Sequence, residues 1–157
     1  MFDIGDKVVY PMHGAGVVEG IDERQILGET RSYYLVRIKH GNMQVMVPVQ
    51  GAETVGLRSI VDASDLDQVY KELGAESTPM DENWNRRNRE NMEKLKTGDL
   101  CCVAEVIRNL ARIDRVKKLS TGEKKLLNSA RQILSSEMMM VLDIKEDEAL
   151  DMIEKAI

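Results

Sequence analysis

The chain has 157 residues, 43% of them hydrophobic and 31% charged, which is the balance of a globular protein and excludes a disordered one. No apolar run approaches the roughly 20 residues of a membrane-spanning helix, and the N-terminus lacks a basic-then-apolar signal, so we expect a cytoplasmic protein. The net charge of −5 argues against a protein that coats DNA unaided, because such binding depends on neutralising phosphates.

The charge is unevenly distributed along the chain. Residues 82–119 carry ten basic and six acidic side chains, whereas the segments before and after them are acidic. Only this middle segment would be attracted to a polyanion. The sequence therefore allows a local contact with DNA, provided that something else holds the protein there.

The first fifty residues predict the short strands of a small β-barrel. Strands are expected at residues 7–10, 17–21, 33–39 and 43–48, with turns at residues 14–16, 27–29 and 40–42. Val45 and Val47 alternate with Gln44 and Met46, which indicates one inward and one outward face. An SH3-like or Tudor-like barrel over residues 1–60 fits so short a segment.

After about residue 51 the apolar spacing becomes helical. We expect five short helices. The first runs from near Ser64 to Gly74, the second from Trp84 to Thr97, and the third over residues 100–113. Ser120 and Glu123 are expected to cap the start of the fourth, and Asp143 and Glu146 the start of the fifth. The predicted fold class is therefore α+β, with the barrel followed by an all-α bundle over residues 61–157.

Trp84 is the only tryptophan, and it lies in a heptamer, residues 83–89, that holds three arginines and three asparagines. Two interpretations are open. Trp84 is either a buried anchor beside a solvated basic face, or a partly exposed ring beside phosphate-binding arginines. At helical spacing Trp84 and Arg87 share one side, flanked by Arg86 and Arg89, which favours exposure because a core tryptophan usually has no basic residue on its own face.

A second basic stripe is predicted one helix later. Arg108, Arg112 and Arg115 recur at i, i+4 and i+7, on the side opposite the apolar positions of that helix. The stripe is either an ordinary solvated face or a track for phosphates next to the Trp84 cluster.

Catalytic and metal-binding patterns are lacking in the sequence. Cys101 and Cys102 are neighbours and have no partner at metal-ligand spacing, while His13 and His40 fall in predicted turns without a nucleophile nearby. We expect a protein that is not an enzyme and that needs no cofactor, metal or small-molecule substrate.

Several segments resemble the CarD/CdnL family of bacterial transcription regulators, whose N-terminal module also occurs in transcription-repair coupling factor. The chain opens with FDIGDKVVYPMHGAG, and further matching segments lie at residues 83–87, 95–99, 103–110 and 119–124. The resemblance covers residues 2 to about 140, which is the extent expected for a full-length member.

The resemblance implies a Tudor-like domain that docks on the β subunit of RNA polymerase, and a helical domain that contacts promoter DNA. Docking through an exposed strand would involve Arg24, Gln44 and Met46. Arg24 matches a polymerase-contacting arginine of the family, but well-known members have another arginine where this chain has Met46, so that contact is absent or replaced here.

The resemblance also implies a role for the tryptophan cluster. Trp84 matches the residue that wedges into the minor groove at the upstream edge of the transcription bubble, and Arg86, Arg87 and Arg89 match the basic residues around it. The expected function is to stabilise the open complex, as a monomer. The alternative is an adaptor that joins polymerase to another protein, with Trp84 anchoring a protein interface.

Overall fold

The computed structural model describes all 157 residues and shows an antiparallel five-stranded sheet followed by five α-helices, which confirms the α+β prediction. The strands are β1 (Lys7–Tyr10), β2 (Gly14–Ile26), β3 (Glu29–Ile38), β4 (Met43–Pro48) and β5 (Arg58–Ser59). The helices are α1 (Leu66–Gly74), α2 (Trp84–Lys96), α3 (Leu100–Val116), α4 (Thr121–Leu142) and α5 (Glu146–Ala156). Residues 1–60 are called the sheet region below, and residues 61–157 the helical region.

The sheet has the strand order β4-β3-β2-β1-β5, so β4 and β5 form its edges. Successive residues of β3 alternate between its two faces, and Tyr34, Val36 and Ile38 are buried in the core of the sheet region. Tyr33 pairs with Pro48 at the end of β4, and beyond that pair β2 and β3 continue as a two-stranded hairpin. On the opposite face the β3 residues Tyr33, Leu35 and Arg37 are half-buried, whereas Val9 and Ala15 of β1 and β2 are buried.

Two details of the predicted strands are wrong. Residues 14–16 are not a turn but the start of β2, and Gly14 pairs with Tyr10 across the reversal at residues 11–13. The sequence analysis also missed β5, which consists of two residues that pair with Val8 and Val9 of β1. A two-residue strand is too short to show any alternation of polar and apolar side chains.

The helical region is organised around α3, which contacts α1, α2 and α4. All the residues from 106 to 111 are buried. Six consecutive residues point to all sides of a helix, so this part of α3 is covered on every side. A single core of 20 buried residues joins the five helices. This central position of α3 decides where its arginines lie.

Side chains cap α2, α3 and α4, through Asn83, Asp99 and Ser120. Of the two predicted caps, the one at Ser120 is confirmed in part and the one at Asp143 is wrong. Ser120 Oγ accepts a hydrogen bond from the Glu123 N–H at the start of α4, yet the Glu123 carboxylate points to Arg87 and does not complete a capping box. Asp143 does not open α5: it adopts a left-handed conformation with φ 53° and ends α4, and Lys145 precedes α5.

The sheet and helical regions contact each other directly, through the packing of α4 against β2. The Ala15 N–H donates to Ser136 Oγ at 2.9 Å, and Gly14 allows the approach because a Cβ there would lie 2.6 Å from the same oxygen. Arg58 of β5 forms an ion pair with Glu137 of α4 at 2.9 Å. The two regions therefore share a polar interface as well as an apolar one.

We predict that Gly16→Ala destabilises the protein by about 2 kcal/mol, because the added methyl group would overlap the backbone carbonyl oxygen of Arg37 inside the β2–β3 pairing. Urea unfolding measures the effect. The matched control is Gly122→Ala in the first turn of α4, where the methyl group meets open space, and we expect a neutral or slightly stabilising result. Equal losses at both positions would refute this account of Gly16.

Candidate functional site

Trp84 is the first residue of α2 and the one aromatic side chain that is exposed, at 53% of its surface. The start of the helix is fixed by Asn83, whose side-chain oxygen accepts hydrogen bonds from the N–H groups of Asn85 and Arg86 at 3.0 and 3.3 Å. The interpretation of Trp84 as a buried anchor is therefore wrong. The cap fixes the backbone at the start of the helix, and the ring is exposed to solvent.

The three arginines after Trp84 do not play the same part. Arg86 and Arg89 are exposed and form no ion pair within the protein. Arg87 is only 19% exposed, and its guanidinium binds both carboxylate oxygens of Glu123, with Nε–Oε2 at 2.9 Å and Nη2–Oε1 at 2.6 Å. Two of the three predicted phosphate ligands are thus free, and the third is neutralised.

The Arg87–Glu123 pair joins the first turn of α2 to the first turn of α4. The hydrogen bond to Glu123, with the nearby charges of Glu123 and Asp81, raises the pKa of Arg87 although burial opposes it. Glu123 is buried, and its charge is compensated by a bidentate partner. The pair therefore brings two helix N-termini, each with a partial positive charge, close to Trp84.

Sequence analysis missed the basic residues at the start of α4. Lys124 and Lys125 directly follow Glu123, and Lys125 is exposed while Lys124 is half-buried. They lie outside the basic segment 82–119, in a part of the chain whose net charge is negative. The signal that could have found them is their place in the first turn of a helix that Ser120 caps. Trp84, Arg86, Arg89, Lys124 and Lys125 are called the basic tip below.

The prediction that Arg108, Arg112 and Arg115 form a solvent-facing stripe is wrong at Arg108, which is 0% exposed. Its guanidinium donates to the backbone oxygen and carboxylate of Glu72 at 2.7 and 2.9 Å, and to side chains of Asn109 and Thr78. The helical wheel placed Arg108 opposite the apolar positions, but α1 packs on that side of α3 as well. Arg108 therefore holds α1 against α3 and has no surface to offer a phosphate.

Arg112 and Arg115 also have partners within the protein. Arg112 Nη1 donates to the Ala75 backbone oxygen at 2.7 Å and to Ser77 Oγ at 3.0 Å, just after the end of α1. Arg115 is exposed and lies 3.8 Å from Glu154 of α5. These contacts fasten α1 and α5 to α3, and the stripe is not part of the basic tip.

A neighbouring network contains the carboxylate of Glu105, which binds Lys94 and Thr78, each at 2.8 Å. Burial on its own would raise the pKa of Glu105. The hydrogen bonds from Lys94 and Thr78, and the charges of Lys94 and Arg108, outweigh it and lower that pKa below its usual value. The network attaches α2, and with it the basic tip, to α3.

The structure places Arg24, Gln44 and Met46 on one face of the sheet. Met46 pairs with Leu35, Gln44 with Arg37 and Arg24 with Arg31, and these β3 residues all point away from the core. We call this surface the outer sheet face; its residues on the three strands are Arg24, Arg31, Tyr33, Leu35, Arg37, Gln44 and Met46. It borders on the free edge of β4. A partner could therefore contact both the side chains of this face and the unpaired backbone groups of the edge strand.

The outer sheet face has a polar end and an apolar centre. The Glu19 carboxylate accepts hydrogen bonds from Arg37 and from Gln44, both as short as 2.8 Å, and these bonds lower the pKa of Glu19. Met46 is 36% exposed beside the half-buried Leu35. Gln44 is thus engaged by Glu19, whereas Met46 presents an apolar surface.

Nothing in the structure assembles a reactive centre of a familiar kind. His13 stacks on Tyr10 at 4.6 Å, and His40 lies 3.7 Å from Glu146. No three His, Cys, Asp or Glu side chains come together in the geometry that would hold a metal ion, and no helix is long and apolar enough to cross a membrane.

A small antiparallel sheet with an open edge strand, joined to a helical bundle with an exposed tryptophan and a basic tip, defines a two-part binding protein. Its sequence matches the family model of the CarD-like/TRCF RID domain at residues 2–61 and that of the CarD C-terminal domain at residues 68–154. The chain belongs to the CarD family.

The chain is similar to one relative along most of its length and to one solved structure over its N-terminal part. The chain is 37% identical over 146 residues to YdeB of Bacillus subtilis (strain 168), whose name describes it as a candidate transcription factor; the match covers 93% of this chain and 95% of YdeB. It is 30% identical to the solution NMR structure of the N-terminal domain of Myxococcus xanthus CarD, with a TM-score of 0.33, over 38% of this chain and 79% of that one. The family and the full-length relative support a role in transcription regulation, which is not an enzymatic class.

We predict that Arg108→Ala lowers the free energy of unfolding by about 3 kcal/mol, because the polar groups around Arg108 lose their buried partner and a cavity remains. Arg86→Ala and Arg89→Ala should stay within about 0.5 kcal/mol of the wild type, since both side chains are exposed and unpaired. Chemical denaturation of the three variants makes the comparison. A wild-type stability for Arg108→Ala would restore Arg108 as a candidate surface residue.

Proposed function

We propose that this protein stabilises the open complex between RNA polymerase and a promoter, by docking through the outer sheet face and inserting Trp84 at the upstream edge of the bubble. The observation that carries the proposal is Trp84 itself, which is exposed at the basic tip of an acidic protein. The protein would act in the cytoplasm without catalysing a reaction.

The basic tip has the chemistry that an insertion into the minor groove requires. Arg86, Arg89 and the two lysines at the start of α4 can neutralise phosphates on either side of the ring. An apolar ring inserted between base steps separates them at a cost of roughly a few kcal/mol. At the edge of a melted bubble the bases are already unstacked, so the ring binds the open state more tightly than the closed one.

The basic tip alone would bind DNA weakly. It contributes few cationic groups, and the rest of the protein is acidic and repels the phosphate backbone. A second contact with polymerase converts the DNA contact into an intramolecular one, for which the effective concentration is set by the geometry of the complex. This requirement supports a docking site elsewhere on the chain.

The outer sheet face is the surface that best supplies this second contact. The family model matched by residues 2–61 is that of a module shared with a transcription-repair coupling factor. The β4 edge offers unpaired backbone groups to an added strand, while Arg24 and Met46 offer a charge and an apolar side chain beside it. We assign the β subunit of RNA polymerase as the partner of this face.

We predict that Trp84→Ala shortens the lifetime of the open complex about tenfold, because stacking of one ring on a base contributes about 1–3 kcal/mol. Its affinity for polymerase should be unchanged, since Trp84 lies outside the outer sheet face. Competitor challenge of preformed open complexes measures the lifetime. Trp84→Phe keeps an aromatic ring and should retain part of the effect.

If Trp84→Ala leaves the lifetime of the open complex unchanged, Trp84 does not act by insertion. A footprint of the ternary complex then separates the remaining alternatives: protection that extends to the upstream bubble edge indicates a DNA contact, while its absence favours the adaptor, in which Trp84 meets another protein.

We predict that Arg24→Glu and Met46→Asp each weaken binding to polymerase about tenfold, because they place a negative charge on the face that we assign to docking. Lys155→Glu on α5 is the matched control, since it changes the net charge by as much as Arg24→Glu and leaves the sheet untouched. Titration of labelled polymerase with each variant gives the affinities. Equal losses for all three would show a long-range charge effect and would contradict the assigned face.

A further inference from the structure

An ion pair joins the sheet region to the helical region, with a buried carboxylate and an arginine side chain that is 30% exposed. Glu137, near the end of α4, is 0% exposed. Its carboxylate accepts hydrogen bonds from Arg58 Nη1 at 3.0 Å, from Arg58 Nη2 at 2.9 Å and from the Val61 N–H at 2.8 Å. All three donors belong to β5 or to the segment just after it, so this carboxylate is held entirely by the part of the chain at the boundary between the regions.

The same guanidinium reaches a second element of the helical region. Arg58 Nε and Nη2 donate to the Gly98 backbone oxygen at 3.2 and 2.8 Å, directly after α2. Because α2 begins with Trp84, one side chain from the sheet contacts both α4 and the end of the helix that carries the exposed ring. The planar fork of an arginine fixes direction as well as distance.

Two close backbone approaches lie at the same interface. A Cβ on Gly98 would lie 3.2 Å from Pro11 Cγ. Gly98 also has φ +73°, a backbone conformation that residues other than glycine rarely adopt. One residue before Glu137, Ser136 packs closely on Gly14, and its Oγ accepts a hydrogen bond from the Ala15 N–H. The two regions are thus fixed at separate points by contacts that tolerate little movement.

Stability alone gives no reason for this arrangement. Removing a carboxylate from water is costly, and an ion pair in the interior is often no more stabilising than two apolar side chains of similar volume. An apolar contact, however, would allow the two regions to slide or rotate. A buried, bidentate pair that also binds a backbone carbonyl has only one good geometry.

We propose that Arg58 and Glu137 are positioning residues, which hold the basic tip at a fixed place relative to the outer sheet face. This inference rests on the proposed function, because it concerns how the polymerase contact directs Trp84. With the pair intact, docking presents the ring to one position on the DNA, and the effective concentration at that position is high. Without the pair, each surface still binds its partner, but the two contacts cease to reinforce each other.

The test compares full-length Glu137→Gln with the wild type and with Trp84→Ala, alone and combined. Three quantities are measured: the free energy of unfolding in urea, the affinity for polymerase, and the lifetime of the open complex. We expect Glu137→Gln to bind polymerase as the wild type does and to lose most of the roughly tenfold lifetime gain that Trp84 supplies. In the Trp84→Ala background the same substitution should change the lifetime no further, because the pair acts through the ring.

A second variant and a control keep the test decisive. Arg58→Lys retains the charge but loses the fork, and it replaces Glu137→Gln if that protein does not fold. Glu154→Gln removes the ion pair with Arg131, between α4 and α5, and should leave the lifetime unchanged.

The outcomes separate the two proposals. If Trp84→Ala shortens the lifetime while folded Glu137→Gln and Arg58→Lys do not, the positioning role is overturned and the proposed function stands. If Glu137→Gln shortens the lifetime equally with and without Trp84, the positioning role is also overturned. If Trp84→Ala has no effect, both proposals fail together.

Discussion

The cost of keeping a charge out of water organises this protein. Arg108, Glu123 and Glu137 are all buried, and each requires a partner that satisfies its hydrogen bonds. Their partners come from other elements: Glu72 of α1 binds Arg108, Arg87 of α2 binds Glu123, and Arg58 of β5 binds Glu137. These pairs link α1 to α3, α2 to α4 and β5 to α4, while burial of the apolar core supplies most of the stabilisation.

The distribution of free charge complements this internal pairing. Arg87 and Arg108 are paired with carboxylates inside the protein. Few cationic side chains therefore remain free at the surface near Trp84. Under the proposed function, this weak, local attraction would confine the DNA contact to one site, and the second partner would supply the specific placement. The acidic remainder of the surface would oppose binding to unrelated duplex.

The sequence was sufficient for the fold class and for most elements, because strands such as β4 alternate cleanly and helices such as α4 carry caps. It was insufficient wherever tertiary packing decided the outcome. A helical wheel could not show that α1 covers Arg108, and local spacing could not show that Glu123 prefers Arg87 to its own helix terminus. Lys124 and Lys125 became part of the candidate site only because that same pair brings α4 beside Trp84. The exposure of Trp84, by contrast, was favoured by the arginine at i+3.

The contact between Ala15 and Ser136 spans 121 residues of the chain. During synthesis at about 5–20 residues per second, the sheet region therefore leaves the ribosome many seconds before the helix that it packs against. Its strands can pair early, since their contacts are local, but its packing on α4 requires the chain as far as Ser136. A nascent chain that stops before α4 would expose Gly14 and Ala15 as an uncovered strand.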